Sequence, residues 1–174
     1  MLRRLFLRVC LGLVAVLVVG LLLPERAVIP VEGATARDWN PKSFWHEPWG
    51  VSGVHKGIDV FAPLGRKVVA ATPGVVLYRG EWKQGGNVVA VLGPKWRIHY
   101  YAHLSGRGEG AGLLVSSGSS IGAVGTSGNA AGKPPHLHYS VFSLVPIPWR
   151  YSRETQGWRK MFYLDPGRLL QQGA

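Results

Sequence analysis

The run Val88-Val89-Ala90-Val91-Leu92, the turn Gly93-Pro94, and then Trp96-Arg97-Ile98-His99-Tyr100-Tyr101 set the fold class of this chain. Both runs are short, rich in β-branched and aromatic residues, and bounded by residues that break regular structure, which is the signature of paired strands. Lys67-Val68-Val69-Ala70 and Val75-Val76-Leu77-Tyr78 precede them, separated by Pro73-Gly74 and Gly85-Gly86-Asn87. More short β segments and Gly/Ser turns follow as far as Val141. No helical periodicity intervenes, so the expected fold is mainly β, an antiparallel sheet.

Three short stretches at the margins of these strands carry the chemistry. They are His55-Lys56-Gly57-Ile58-Asp59, Tyr101-Ala102-His103-Leu104 and His136-Leu137-His138-Tyr139, and they hold four of the six histidines. Neutral imidazole and carboxylate are zinc ligands, and a catalytic zinc takes three protein groups with a fourth position open to water. Five candidates for three places leave two groups over, which suits a hydrolytic site better than a closed structural one. In a strand His136 and His138 point the same way, about 7 Å apart. That is far for two ligands of one ion and suitable for one ligand with one group beside it. His55 and Asp59 would stand about 13 Å apart in a straight strand. If both bind one ion the segment must bend, and Gly57 offers the backbone freedom for that.

These residues resemble a known family, the lysostaphin/LytM-type zinc metallopeptidases, which cut peptide cross-links in bacterial cell walls. His55-Lys56-Gly57-Ile58-Asp59-Val60-Phe61-Ala62-Pro63-Leu64-Gly65 is similar to the family's first motif. Tyr101-Ala102-His103-Leu104 is similar to its middle one, and Pro135-His136-Leu137-His138-Tyr139 to its last. Gly74-Val75-Val76 and Ile121-Gly122-Ala123-Val124-Gly125 fall where the family carries strand and turn signatures. The resemblance covers about residues 44 to 143. It departs at Pro134-Pro135, where the family usually has Gly-Pro, which is expected to shift the loop before the last strand, and at Ser140, where an acid is common.

The resemblance implies a sheet that floors a groove, zinc (Zn2+) as cofactor, and bacterial peptidoglycan as substrate. It implies His55, Asp59 and His138 as metal ligands, and His103 and His136 as the unligated catalytic histidines. Two rival readings are a non-catalytic wall-binding or hydrolase-activating member of the same fold, and a carrier-type β-sandwich similar to biotinyl/lipoyl domains. The second lacks a lysine in the required hairpin context, since Lys83 and Lys95 sit in other turns, and it leaves the histidines unexplained. A His-Glu-x-x-His motif is absent: His46-Glu47 starts like one, but Gly50 stands where the second histidine belongs. His46 and His99 read as hydrogen-bonded structural histidines, with groove lining an alternative for His99. Trp45, Trp49, Tyr101 and Tyr139 are candidates for groove walls or core.

The N-terminus predicts export. Arg3, Arg4 and Arg8 flank an apolar run from Val9 to Leu23, closed by Pro24-Glu25-Arg26. Counting back to Leu5, with Arg8 reaching the interface, gives a length sufficient to span a membrane. The expected organisation is therefore a signal anchor or transmembrane helix over 1–23, a linker or extended arm over 24–43, and the metallopeptidase domain over 44–174. The domain is expected outside the cytoplasm on the cytoplasmic membrane, with a cleaved, secreted form as the alternative. A match of Arg3-Arg4 to a twin-arginine signal is weak, and Cys10 lies too early to be a lipoprotein cysteine. As the single cysteine it permits no intramolecular disulfide. The net charge is +11, and 17 basic residues still face 9 acidic ones beyond residue 23. For an exported chain this fits anionic headgroups or acidic wall polymer, and equally a solvated basic face with no specific partner, with no nucleic-acid partner expected.

Overall fold

The computed structural model describes residues 1–108 and 112–172. The last two residues of the expected 44–174 domain, and residues 109–111 within it, lie outside the described residues. Helix α1 covers Leu2–Leu22; it is long and apolar enough to cross a membrane, with a mean hydropathy of 2.7. Among the described residues nine strands follow: β1 Ile58–Phe61, β2 Lys67–Val69, β3 Gly74–Trp82, β4 Gly86–Gly93, β5 Arg97–Leu104, β6 Leu114–Val115, β7 Ser120–Ala123, β8 His136–Ser143 and β9 Tyr163–Leu164. Helix α2, Pro166–Gln172, closes the described chain.

The main sheet runs β1-β8-β5-β4-β3-β6 and every pairing in it is antiparallel. β9 adds to the same side of β8 as β1, further along the strand. β2 and β7 form a separate pair. The expected antiparallel, mainly β architecture is what the chain adopts. The Gly85-Gly86 turn lets β3 continue to Trp82, four residues beyond the apolar run that announces it.

Alternation divides the main sheet into two faces. Ile58, Val60, Leu137, Tyr139, Val141 and Tyr101 are fully buried on one of them, with Val68 and Ile121 from the small sheet. The opposite face is open and carries the candidate site. Tyr101 and Tyr139 are therefore core residues, not groove walls, and the Tyr101 hydroxyl accepts a hydrogen bond from the Ala71 N–H at 2.8 Å.

Residues 24–43 lie across the domain as an arm. The Val28 N–H donates to Ala71 O at 2.9 Å, the Glu32 N–H to Lys67 O at 3.0 Å, and Asp38 O accepts from the Phe61 N–H at 2.8 Å. Ala27, Val31 and Trp39 from this arm are part of the core. Glu25 is buried as well, paired with Arg97 at the start of β5. Its second oxygen lies 3.4 Å from Nε2 of His99, whose Nδ1 meets the Tyr139 hydroxyl at 2.7 Å. His99 thus sits on the core side and takes no part in the groove.

Trp39 is 4% exposed and meets α2 at Gly167. Truncating a buried aromatic of this size typically costs about 3–5 kcal/mol. Trp39→Ala is expected to lower the thermal denaturation midpoint accordingly. An unchanged midpoint would show that the arm is not part of the folded core.

Candidate active site

The site begins with a register. β1 pairs with β8 so that Asp59 stands opposite His138 and Phe61 opposite His136. On the other side of β8, Ala102 of β5 stands opposite the same His138. His138 therefore sits between two strands, and its neighbours Leu137 and Tyr139 are held in the core.

His55 comes from the loop before β1. The chain bends between it and the strand, which starts at Ile58, so the four-residue spacing closes on a common point instead of extending. Trp45 N–H donates to His55 O at 2.7 Å and His55 N–H to His46 O at 2.9 Å. The Trp49 ring stacks on the imidazole at 4.0 Å between centroids. Gly57 works by space here. Its backbone is outside the left-handed region, but an added Cβ would lie 2.5 Å from Tyr139 O and 2.9 Å from Cε1 of His138. Only a bare backbone lets β1 approach β8 this closely.

The result is a tight trio. Nε2 of His55 lies 3.2 Å from Oδ1 of Asp59 and 3.1 Å from Nδ1 of His138, and the Asp59–His138 edge is 2.9 Å. Among the described residues it is the one group of histidine, cysteine or acidic side chains close enough to share an ion. The hydrogen-bond accounting favours a cation between them. Nδ1–H of His55 donates to the carbonyl oxygen of Ser43 at 3.0 Å, so in the neutral ring Nε2 presents a lone pair. That lone pair faces a carboxylate oxygen and a second imidazole nitrogen. A proton on His138 can satisfy one edge of the triangle, whereas a metal ion satisfies all three. Donors arranged tetrahedrally at about 2.0–2.1 Å from zinc stand about 3.4 Å apart, close to what is seen.

Charge distribution agrees. Burial opposes ionisation of Asp59, but its contacts with His138 and His55 outweigh it and hold the carboxyl well below its usual range. Burial also lowers the pKa of His138, outweighing the neighbouring carboxylate. The trio therefore presents a carboxylate and a neutral His138, states suited to binding a metal.

His103 and His136 flank the trio. Their rings are 5.0 Å apart, and that of His103 is 5.9 Å from His138. Nδ1–H of His103 donates to Ser127 O at 2.9 Å, and Nδ1–H of His136 to Pro134 O at 2.8 Å. Each ring is thereby turned so that Nε2 is the free nitrogen. The second of these contacts uses the departing proline, so Pro134-Pro135 leaves the histidine anchored. Strict alternation would send His103 to the core face with Tyr101 and His99. A bulge prevents it: the β4–β5 register shifts between Asn87 and Val89, and His103 holds left-handed backbone at φ 64°. Burial first, then the nearby His138 and His136, bring the His103 pKa down to about 4.

A groove of about 1090 Å³ runs past these groups. Trp49 lines it as expected, whereas Trp45 is buried beside it. Tyr78, Trp82, Tyr100, Phe142 and Tyr163 complete the aromatic walls. The sequence reading missed these five. Counting by twos from His138 to Ser140 and Phe142 would have found one of them, and the cross-strand pair Tyr100–Ser140 a second.

The fold is that of lysostaphin-like peptidases: the chain superposes on the catalytic domain of lysostaphin from Staphylococcus simulans with a TM-score of 0.59, at 24% identity, over 78% of this chain and 95% of that one. A zinc-containing peptidase from Vibrio cholerae matches at a TM-score of 0.52 and 28% identity, over 67% of this chain and 37% of that one. Residues 53–146 match the family model of Peptidase family M23, and the chain belongs to that family. Among its relatives are the L-Ala–D-Glu endopeptidase of Bacillus subtilis, 38% identical over 114 residues, or 60% of this chain and 35% of that one, and the peptidoglycan DD-endopeptidase ShyC of Vibrio cholerae, 35% identical over 102 residues, or 59% and 23%. This chain thus spans about a third or less of the length of those relatives.

The role of Gly57 is open to test. Gly57→Ala should push β1 away from β8 and lower zinc affinity by about 10- to 100-fold, the range for disturbed ligand support. Competition against a metallochromic chelator measures it; unchanged affinity would mean that this close approach does not hold His138 in place.

Proposed function

We propose that the chain is an active zinc endopeptidase that hydrolyses peptide cross-links of bacterial peptidoglycan, anchored by α1 with its domain outside the cytoplasm. The observation that carries this reading is the convergence of three metal-competent donors beside two histidines whose free nitrogens share the same groove. His55, Asp59 and His138 would hold the metal. When bound, zinc supplies a Lewis acid for the scissile carbonyl and brings the pKa of a coordinated water toward about 7.

The remaining tasks belong to the chain's own side chains. His103 and His136 are fixed through Nδ1 and keep Nε2 for proton transfer, taking a proton from the attacking water and returning it to the leaving amine. The low pKa of His103 keeps its imidazole neutral at pH 7, ready to accept. The aromatic walls bind and align an extended peptide over the trio and narrow the access of bulk water. Membership of a peptidase family with wall-cutting relatives supports the substrate class. Arg3, Arg4 and Arg8 ahead of the apolar helix support the orientation, because positive flanks stay in the cytoplasm.

The full chain, purified in detergent, is expected to carry about one zinc, the stoichiometry of a single three-ligand site, and to release peptides from purified cell wall. His55→Ala and Asp59→Ala should lose the metal. His103→Ala and His136→Ala should keep it while hydrolysis falls by about 10²- to 10⁴-fold. Metal content and wall digestion measured on the same preparations decide the matter. Bound zinc with no peptide release by the parent would favour the binding-module reading. Full activity in both spare-histidine variants would overturn the proton-transfer roles of His103 and His136.

A further inference from the structure

The end of the sheet away from the trio meets α1, and it does so through a strained turn. Between β4 and β5, Lys95 and Trp96 both hold left-handed backbone, at φ 59° and 57°, a conformation disfavoured for residues with a Cβ and one that tends to mark functional positions. The turn lays the Trp96 indole on the helix. Nε1–H donates to the Leu17 carbonyl oxygen at 2.9 Å, and a Cβ added to Gly20 would lie 2.3 Å from the ring. Gly20 is the buried position of α1; it is a bare notch that the indole fills.

A second fastening lies just past the helix. Glu25 is buried against Arg97, the residue after Trp96. The two contacts bracket the exit of α1, so the helix enters the domain without a loose tether. Leu17 lies about 7–8 Å from the end of the helix, at 1.5 Å per residue. In a 21-residue helix that just matches a hydrocarbon core of about 30 Å, Leu17 and Gly20 lie a little inside its outer edge, so whatever packs beside them is brought against the headgroup layer.

The surface around the turn suits that medium. The N–H of Leu144, which is 47% exposed, donates to Trp96 O at 2.9 Å. Five residues on, Trp149 is 85% exposed. Lys95 is in the turn itself, and Arg150 lies within electrostatic range of Arg97. Exposed tryptophan beside an apolar helix suits either membrane interface, and basic groups there are drawn to anionic headgroups by long-range attraction.

We propose that the turn Gly93–Arg97, with Leu144 and Trp149, is a docking surface for the anionic headgroup layer of the bilayer, and that the Trp96–Gly20 seat fixes the domain upon it with the trio turned outward. This rests on the reading of α1 as a membrane anchor. β5 runs from Arg97 at this face to His103 at the trio, about 20 Å at strand rise. The site is thereby held at a set height, facing wall peptide close to the membrane.

The test uses the full chain in vesicles of phosphatidylethanolamine and phosphatidylglycerol. In a Cys10→Ser background, Leu144→Cys carries an environment-sensitive fluorophore. The label should emit blue-shifted and be quenched by lipids bearing a nitroxide near the headgroup. Adding Gly20→Leu keeps the helix apolar but fills the notch, and should abolish both effects while the protein still resists extraction by alkaline carbonate. A label that reads water in the parent overturns the proposal alone, as does a Gly20→Leu variant indistinguishable from the parent. Release of the parent by carbonate would remove the anchor, and the docking surface with it, while leaving the hydrolytic reading untouched.

Discussion

The pairing of four residues of β1 with the first half of β8 is the constraint on which the site depends. It places Asp59 opposite His138, yet what fixes it is on the other face, where Ile58, Val60, Leu137 and Tyr139 are fully buried. A slip of β1 by one residue would move Ile58 and Val60 into water and drive Asp59 into the core, while β8 stays held by β5. Burying such side chains stabilises by about 1.5–3 kcal/mol each, so the apolar face sets the register and the polar face inherits it. The core is thereby the device that aims the metal-competent donors.

The histidines are oriented by a second, independent device. His55, His103 and His136 each give Nδ1–H to a backbone carbonyl, of Ser43, Ser127 and Pro134 in turn. Three separate loops thus set three tautomers, and each leaves Nε2 without a proton. Backbone acceptors cannot rotate away, which gives these rings a fixed direction before any ligand arrives. The two ends of β5 then divide the labour. Its C-terminal end turns His103 into the groove, and its N-terminal end, through Arg97 and the turn before it, grips the helix.

Most of the sheet was legible because its apolar runs are short and end at Gly or Pro turns, as at Pro73-Gly74 and Gly93-Pro94. The His/Asp positions were legible as motifs, and the bend between His55 and Asp59 followed from their spacing once both were taken as ligands of one ion. Four features were hidden. The aromatic faces stayed open because Tyr100-Tyr101 are adjacent and only one can face the groove. His103 escapes alternation through a bulge and a left-handed residue, neither of which has a composition signal at a histidine. The segment 24–43 read as a linker or extended arm, and its place in the core was hidden because Ala27, Val31 and Trp39 recur with no helical or strand period, although each is buried. Glu25 and Trp96 were opaque for a similar reason: their partners lie far away in sequence, and buried pairing leaves no local pattern.

X-ray absorption at the zinc edge of the purified full chain tests the central claim most directly, because it reports the donor set itself. The arrangement of His55, Asp59 and His138 predicts a shell of about four nitrogen or oxygen scatterers at about 2.0–2.1 Å, with the outer-shell pattern of two imidazoles. A shell with three imidazoles would bring His103 or His136 onto the metal, and a sulfur scatterer at about 2.3 Å would place zinc at Cys10. Either result would contradict the account.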